Sequence, residues 1–377
     1  MSKPNRRELI QSLTVAGVGS SAGSLLAAAQ NGAADVRISG FEVIPLRVPM
    51  DLRVREAWQR SWFLQNRFQT HHEPVLVKLK TDAGIVGIGD SMLSPARTKA
   101  IAEKMVGRSP WEYLLDDSIR ALLVPICDIV GQALELPVSR LFARNPKQRI
   151  VQTWWSQCFK PDLMASEAKI AESRGYKVHK VKARPWEDPV EQAEAICGAI
   201  SRDMRVWVDA NAWWGSVGRT LFISERLAKL HNYFAIESPI RRELLDGYRQ
   251  LKGKVGLAVT EHMPSDPMPY IREGLLDAIV VGFPMGRTLI QRALMAEVTG
   301  VPLWVEHSTR CGINQVFQAH QAAAFPGIEY TISVTHMLEN DFVVEPFEMK
   351  EGFYEVPTKP GLGITLDEDA VDKYRIG

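Results

Sequence analysis

Hydrophobic and polar positions follow two different patterns along this chain, and the first predicts strands before helices. Three stretches near the N-terminus have strand character, residues 36–48, 75–80 and 85–89. The turn Thr81-Asp82-Ala83-Gly84 separates the last two, and its glycine supplies the positive φ that a hairpin needs. From about Ser94 to Phe142 apolar residues recur every three or four positions until Pro137, a pattern typical of helices. Strands followed by helices predict an α+β domain.

The second pattern begins at about residue 148, where short apolar strands alternate with amphipathic segments of helical length. Six of these strands are predicted at residues 178–181, 206–208, 234–236, 256–259, 278–281 and 303–305. Repeated βα units indicate a parallel sheet covered by helices, and a spacing of roughly 25 residues favours a closed barrel over an open sheet. No Gly-x-Gly-x-x-Gly motif follows a strand, which disfavours a dinucleotide-binding fold.

Composition restricts the class of partner. The 377 residues include 45 Lys and Arg against 44 Asp and Glu, so the net charge of +1 provides no field to attract nucleic acid or an acidic membrane. The four cysteines are too scattered for a disulfide framework and form no Cys-x-x-Cys pair for zinc. We therefore expect a small-molecule partner, no nucleic acid, and no membrane association once any leader is removed.

The N-terminus has the layout of a twin-arginine export signal. Arg6 and Arg7 precede a weakly apolar stretch from Leu13 to Ala29, rich in Gly, Ala and Ser, which ends in a small-residue cleavage motif. This pattern predicts that residues 1–30 are a leader and that the folded protein is exported to the periplasm. The alternative is a disordered leader with an accidental Arg-Arg pair on a cytoplasmic protein.

Three acidic residues follow successive predicted strands at their carboxyl ends, where barrel enzymes place their chemistry. They are Asp209, Glu237 and Glu261. Adjacent parallel strands lie about 4.8 Å apart, so the three carboxylates should converge and repel one another unless a cation lies among them. Carboxylate oxygens favour a hard ion, Mg²⁺ first and then Mn²⁺. The alternative is three unrelated acidic residues at the starts of loops.

Two lysines, Lys180 and Lys182, lie two positions apart on one predicted strand, so both should point into the barrel. Two neighbouring ammonium groups disfavour each other's charged form, which can lower the pKa of one lysine toward the value that a general base requires. The alternative is a solvated basic edge that Lys177 and Arg184 extend.

These residues occur in an order that resembles the signature of the enolase superfamily, in its mandelate racemase-like branch. The matching motifs are Lys180-Val181-Lys182, Asp209-Ala210-Asn211, Glu237-Ser238-Pro239, Glu261 and His307-Ser308, flanked by residues 128–137 and 356–363. The resemblance covers about residues 36–375. It implies an α/β fold, a modified (β/α)7β TIM-type barrel over residues 148–345, with an N-terminal α+β capping domain over residues 31–147 that the C-terminal segment, residues 346–377, completes.

The resemblance also implies roles for individual residues. Three metal ligands are implied: Asp209, Glu237 and Glu261. Three catalytic residues are implied: Lys182 as the base, Lys180 as the neighbour that tunes it, and His307 as the acid or base on the opposite face. Asn211 would contact substrate or support the cation. The Mg²⁺ ion would stabilise the enediolate formed when a carboxylate substrate loses its α-proton. A homo-oligomer is also expected.

The chain departs from the mandelate racemase pattern at the sixth barrel strand. Residues 277–284 end without the aspartate that would orient His307, so this histidine would be a weaker base or would use another partner such as Glu339. Glu306 is expected to point to the other side of its strand. His262, directly after a predicted ligand, is expected to reach a leaving group as an extra acid or to be a supporting residue.

Substrate contacts are also expected from the loop at about residues 49–66. Among its cationic and aromatic side chains, Trp58 and Arg60 would contact an acidic sugar or an aromatic acid, or would be packing residues. The leading prediction is dehydration of a sugar acid or related hydroxy acid. One alternative is a racemase or epimerase of a 2-hydroxy acid that shares the first proton abstraction. Another is a non-catalytic, metal-holding binding protein of the exported compartment.

Overall fold

The structure is a computed structural model that describes residues 35–55, 70–282, 285–306 and 311–377. Three predicted site residues lie outside the described residues: Trp58, Arg60 and His307. The predicted export leader, residues 1–30, lies outside them as well. Among the described helices, none combines the length and the apolar character needed to cross a bilayer.

The N-terminal part contains a small antiparallel sheet with strand order β1-β4-β5 and a separate β2-β3 pair. Its strands are β1 (Ile38–Pro45), β2 (Val48–Pro49), β3 (His71–His72), β4 (Val75–Thr81) and β5 (Val86–Ser91). Two helices follow, α1 (Pro95–Glu103) and α2 (Leu123–Ala133). A Cβ atom at Gly87 would lie 2.2 Å from the carbonyl oxygen of Pro125, so the helix approaches the sheet closely because this residue is glycine.

The larger part is a barrel of eight parallel strands in consecutive order, closed by pairing of the last strand with the first. The strands are β6 (Arg149–Ser156), β7 (Val178–Lys182), β8 (Arg205–Asp209), β9 (Tyr233–Glu237), β10 (Ala258–His262), β11 (Ala278–Val281), β12 (Leu303–Val305) and β13 (Ile328–Ser333). The helices between them are α3 (Pro161–Ser173), α4 (Pro189–Cys197), α5 (Val217–Leu227), α6 (Leu245–Leu251), α7 (Met268–Arg272), α8 (Gly286–Thr299) and α9 (Gly312–Ala324).

Aromatic side chains fill the amino-terminal end of the barrel. This aromatic layer consists of Trp207, Phe234, Trp304 and Tyr330. The ring centroids of Trp207 and Trp304 lie 4.5 Å apart, and the rings of Trp304 and Tyr330 meet edge to face at 5.2 Å. A barrel interior is a packed core, so this layer closes one end and leaves the carboxyl ends of the strands for polar groups.

The C-terminal segment returns from the barrel to the N-terminal part. The hairpin of β14 (Met349–Lys350) and β15 (Phe353–Glu355) pairs antiparallel with β6. Helix α10 (Glu368–Tyr374) then reaches the first sheet, where Lys78 Nζ lies 2.7 Å from the carboxylate of Glu368 and Leu46 forms a bridge with Arg375. A capped eight-stranded barrel confirms the predicted fold class.

Candidate active site and metal centre

Strand register determines which side chains enter the barrel. In the parallel ladders Lys182 is opposite Asp209, Asp209 is opposite Glu237, and Glu237 is opposite Thr260. Side chains at opposed positions of neighbouring strands point to the same face, and so do residues two apart on one strand. Thr260 therefore faces the interior together with His262, whereas Glu261 between them faces outward. This register follows from β10 extending through Thr260, Glu261 and His262, three residues beyond the predicted strand end.

Among the described residues, six charged or titratable side chains meet at the carboxyl end of the barrel, and we call them the charged cluster. Its members are Lys180, Lys182, Asp209, Glu237, His262 and Glu306. Ligand atoms of Asp209, Glu237, His262 and Glu306 all lie within 4.8 Å of one another. Asp209 and Glu237 are fully buried, while the side chains of His262 and Glu306 are 25% exposed. The cluster is therefore enclosed on one side and accessible on the other.

Lys180 lies at the centre of the cluster. Its ammonium nitrogen is 2.8 Å from a carboxylate oxygen of Glu237, 2.8 Å from one of Glu306 and 3.3 Å from one of Asp209, and the side chain is fully buried. Burial alone would lower the pKa of Lys180, but the three carboxylates outweigh it and raise the pKa above its usual value. The two lysines alone predicted a lowered pKa for one of the pair, and for Lys180 the surrounding acids, which that reasoning left out, act in the opposite direction.

Lys182 and Asp209 form a second contact, between the ammonium group and Oδ2. Burial favours the neutral acid, yet the two lysines hold the pKa of Asp209 well below its usual range. The other carboxylate oxygen accepts a hydrogen bond from the backbone N–H of Asn211 at 2.8 Å. Asn211 and Ala212 both have positive φ, 44° and 65°, so the chain turns sharply as it leaves β8. Asn211 thus lies beside the cluster, and its role in substrate binding stays a prediction.

His262 and Glu306 are the residues that sequence reasoning placed outside the metal site. Nε2 of His262 lies 3.2 Å from Oε1 of Glu237 and 3.7 Å from Oε2 of Glu306. Burial acts against the imidazolium ion, but hydrogen bonding to Glu237 and the charge of Glu306 raise the pKa of His262 to about 9. The expectation that Glu306 points away was wrong because Trp304, two residues earlier, already faces the interior. That alternation was the signal available in the sequence.

Glu261, the third predicted metal ligand, is bound elsewhere. Its carboxylate accepts hydrogen bonds from the hydroxyl groups of Ser238 (2.6 Å) and Tyr248 and from the backbone N–H of His262 (2.7 Å). Burial raises the pKa of Glu261 above its usual value despite these donors. The structure therefore brings two of the three predicted ligands, Asp209 and Glu237, into the cluster and leaves Glu261 on the outer face of β10.

Glu339, predicted to bind substrate or to orient His307, is bound to the N-terminal part. Its carboxylate pairs with the guanidinium group of Arg55 at 2.8 Å, and its backbone N–H donates to the carbonyl of Pro49. It lines a groove of about 790 Å³ that also contains Arg174 and Tyr176. These contacts do not bring Glu339 to the charged cluster, and its predicted role stays a prediction.

The donor set of the cluster suits a divalent cation. Three buried or half-buried carboxylates and one imidazole converge on one point, and an ammonium group already lies among the carboxylate oxygens. Converging carboxylates in a buried site need positive charge to offset their mutual repulsion. One further group supports them, since the indole N–H of Trp207 donates to Oε2 of Glu237 at 2.9 Å.

A capped (β/α) barrel with buried acids and lysines at the carboxyl ends of its strands defines a class of barrel enzymes that work by acid–base chemistry. The family model described as Enolase C-terminal domain-like matches residues 163–370, more than half of the chain. The chain belongs to this family, within the superfamily of mandelate racemase and muconate lactonizing enzymes. The resemblance found in the sequence is thereby confirmed.

Several curated relatives are enzymes of this superfamily. The chain is 25% identical over 348 residues to arabinonate dehydratase of Saccharolobus solfataricus, covering 80% of this chain and 91% of that protein. It is 21% identical to D-gluconate dehydratase of Thermoproteus tenax, covering 80% and 69%. N-succinyl-L-Arg/Lys racemase of Bacillus cereus is 22% identical, covering 80% and 90%. Dehydratases, racemases and cycloisomerases thus occur among the relatives, and this chain is an enzyme of the same superfamily.

Solved structures show the same fold. That of the Bacillus cereus racemase superposes with a TM-score of 0.75 at 20% identity, covering 90% of this chain and 98% of that one. A mandelate racemase/muconate lactonizing family protein of an Azoarcus species gives 0.71 at 22% identity, covering 90% and 98%.

Proposed function

We propose that this enzyme binds a divalent cation, Mg²⁺ or Mn²⁺, in the charged cluster and removes the proton next to the carboxylate of a small-molecule substrate. One observation carries the proposal: Lys180 and Lys182 share the interior face of β7 and contact Asp209 and Glu237 directly. A lysine base beside acidic ligands is the arrangement that proton abstraction from a weak carbon acid requires.

The residues divide the task by position. Asp209 and Glu237 would hold the cation, which when bound stabilises the negative charge that develops on the substrate carboxylate. Lys182 is 7% exposed and lies at the accessible side of the cluster, so it is the proposed base. Lys180 is fully enclosed, and we assign it the positioning of Lys182 and of the acids. His307 would act from the opposite face, while Asn211, Trp58, Arg60 and Glu339 keep their predicted roles in substrate binding.

The substrate class we propose is a sugar acid, converted by dehydration. Two relatives named above are dehydratases of arabinonate and gluconate, and both cover 80% of this chain. After proton abstraction, loss of a hydroxyl group from the neighbouring carbon requires an acid near the leaving oxygen, and His307, the predicted acid or base of the opposite face, is the donor that we propose.

The second candidate is a racemase or epimerase, which starts with the same proton abstraction. The relationship to the Bacillus cereus racemase favours it, since its sequence match covers 80% of this chain. The alternative of a non-catalytic metal-holding protein gains no support from the two buried lysines, because a base has no function there. Export to the periplasm and assembly into a homo-oligomer remain proposals.

Solvent exchange tests the proposal. The full chain is incubated with Mg²⁺ or Mn²⁺ and a panel of sugar acids in D₂O, and incorporation of deuterium at the α-carbon is followed by proton NMR. Lys182→Ala should slow exchange by about 10² to 10⁴-fold, the usual contribution of a general base. The matched control is Lys169→Ala, which removes an exposed lysine of α3 and should leave the rate unchanged. Exchange that survives in Lys182→Ala would overturn the assignment of the base.

Product analysis then separates the two candidate activities. A 2-keto-3-deoxy acid indicates dehydration, whereas a mixture of epimers labelled with deuterium indicates racemisation or epimerisation. Saturable binding of an acid without any exchange would support the binding protein instead.

A further inference from the structure

We infer that His262 and Glu306, rather than Glu261, complete the cation site with Asp209 and Glu237, and that the site prefers a first-row transition cation over Mg²⁺. This inference deepens the proposed function and rests on its cation site. It concerns which side chains hold the ion and therefore which ion they select.

The register of β10 determines which of its side chains enter the barrel. Thr260 lies opposite Glu237 in the ladder with β9, so His262 projects into the barrel and Glu261 projects away from it. Nε2 of His262 is 3.2 Å from Glu237 and 3.7 Å from Glu306. Exchanging the two side chains would require a one-residue slip of β10, which would turn every side chain of the strand to the opposite face.

Hydrogen bonds hold the carboxylate of Glu261 outside the barrel. Three donors already satisfy its carboxylate, and two of them, Ser238 and Tyr248, are themselves buried. Moving Glu261 into the site would remove the acceptor of the Ser238 hydroxyl, at a cost of about 1–3 kcal/mol, and would leave the Tyr248 hydroxyl only the carbonyl of Ile240 at 3.2 Å. The carboxylate is therefore part of the packing between β10 and α6.

Glu306 supplies the third carboxylate of the cluster. It directly follows β12, two residues after Trp304, and its carboxylate lies 2.8 Å from the ammonium group of Lys180 and 3.9 Å from that of Lys182. The ammonium group of Lys180 contacts carboxylate oxygens of residues from β8, β9 and the end of β12. Three strands therefore present negative charge to one buried point. The ammonium group of Lys180 lies at that point, which shows that the three carboxylates can surround one positive charge.

The chemistry of the donors leads to the choice of ion. Three carboxylates and one imidazole nitrogen form a mixed site, and imidazole is a ligand for zinc, iron, cobalt and nickel far more than for Mg²⁺. An all-oxygen site made by Asp209, Glu237 and Glu261 would suit Mg²⁺ and Mn²⁺ and would give no nitrogen coupling. The position of a single side chain on β10 therefore determines metal selectivity.

Metal binding without substrate tests the inference. Protein stripped with a chelator is titrated with Mg²⁺, Mn²⁺ and Co²⁺ by calorimetry, and the Mn²⁺ complex is studied by pulsed electron paramagnetic resonance for a directly bound nitrogen. We expect a nitrogen coupling in the parent chain and binding of Mn²⁺ and Co²⁺ at least about tenfold tighter than Mg²⁺.

Four variants assign the ligands. His262→Gln should remove the nitrogen coupling and weaken Co²⁺ binding at least about tenfold, and Glu306→Gln should weaken binding of all three ions by a similar factor. Glu261→Gln should keep the coupling and the affinity. His307→Gln tests whether that histidine is the nitrogen donor, and the coupling should persist. The exposed His231 provides the control, because His231→Gln should change nothing.

The outcomes distinguish this inference from the proposed function. A bound Mn²⁺ ion with oxygen ligands alone, or loss of binding in Glu261→Gln with the fold retained, would overturn the inference. Nitrogen coupling that disappears in His307→Gln instead of His262→Gln would do the same. If His262→Gln fails to fold, Glu306→Gln and the parent spectrum still decide the ligand set. Metal bound through nitrogen without proton exchange on any acid would contradict the proposed function and leave the inference intact.

Discussion

The two ends of the barrel interior are built from the same strands and have opposite physical character. At the amino-terminal end the aromatic layer packs ring against ring, whereas the charged cluster at the other end holds lysines, acids and an imidazole. On β8, Trp207 belongs to the first region and Asp209 to the second, and Trp304 and Glu306 repeat the pattern around β12. Residues two apart on a strand share a face, so the charged cluster lies directly next to the aromatic layer inside the barrel.

The two regions contribute to the free energy of folding with opposite sign: the aromatic layer stabilises the barrel, and the buried charges of the site destabilise it. Burial of large apolar rings stabilises the fold, and edge-to-face aromatic pairs add to it. Burial of charges costs free energy that ion pairs recover only with good geometry, so the charged cluster is weak evidence for stability. The aromatic layer therefore contributes stability that offsets the free-energy cost of the buried charges.

Truncating the aromatic layer should produce the largest loss of stability. Trp304→Ala removes a buried indole that contacts Trp207, Phe234 and Tyr330, and we expect the free energy of unfolding to fall by about 3–5 kcal/mol. Urea denaturation of metal-free protein measures it. Phe222→Ala, at a 58% exposed position on α5, is the matched control and should cost less than about 1 kcal/mol. Similar losses in both variants would show that the layer is no special source of stability.

Acidification should produce the next largest effect, through histidines that lie outside the barrel interior. His320 on α9 is fully buried; its Nδ1 accepts from the backbone N–H of Ser139 and its Nε2 donates to the carbonyl of Leu362. Burial lowers the pKa of His320 to about 4, in contrast to the raised pKa of His262. A lowered histidine pKa means that the unfolded chain binds the proton first, so stability is lost as pH falls from 6.5 toward 4.

We expect this histidine to account for about 2–3 kcal/mol of the decrease in unfolding free energy between pH 7 and pH 4.5. Urea denaturation at both values measures it, and comparison with His320→Gln removes the contribution of carboxylates that also titrate. An identical decrease in the parent and the variant would show that His320 does not carry the effect.

Much of the architecture was predictable because apolar strands and amphipathic helices alternate. The strand ranges 278–281 and 303–305 were predicted at their observed bounds. The prediction at residues 256–259 ended too early, because β10 continues into Thr260, Glu261 and His262, whose polarity hides the strand from hydrophobic patterning. Pairing with β9 and β11 keeps these residues in the sheet, and pairing between distant segments is not visible in local sequence.

Some residues of the charged cluster were predictable from the sequence, and others were not. Asp209, Glu237 and the two lysines were predictable because each lies at a strand end whose apolar stretch is clear. The placement of Glu261, His262 and Glu306 depends on strand register, and one residue of error exchanges interior for exterior. The raised pKa of Lys180 depends on three carboxylates from three strands, so it required the assembled barrel.

The smallest of these effects should come from the link between the two regions. The indole N–H of Trp207 donates to Oε2 of Glu237, so one side chain belongs to the aromatic layer and holds a member of the charged cluster. Trp207→Phe keeps an aromatic ring and deletes the donor, and we expect the unfolding free energy of metal-free protein to fall by about 2 kcal/mol. Cation affinity should fall by about tenfold, since an outer partner of a metal ligand has been removed.

Phe234→Leu is the comparison that isolates this link. Phe234 packs against Trp207 at 5.9 Å between ring centroids, and the phenyl ring has no donor to offer Glu237, so its truncation should lower stability and leave cation affinity unchanged. Calorimetric titration with Mn²⁺ measures both variants. Equal cation affinities in the two variants would mean that the core supports the cluster only by filling space. Weaker binding in Trp207→Phe alone would mean that the core also orients a ligand, because the two variants differ in the hydrogen bond to Glu237.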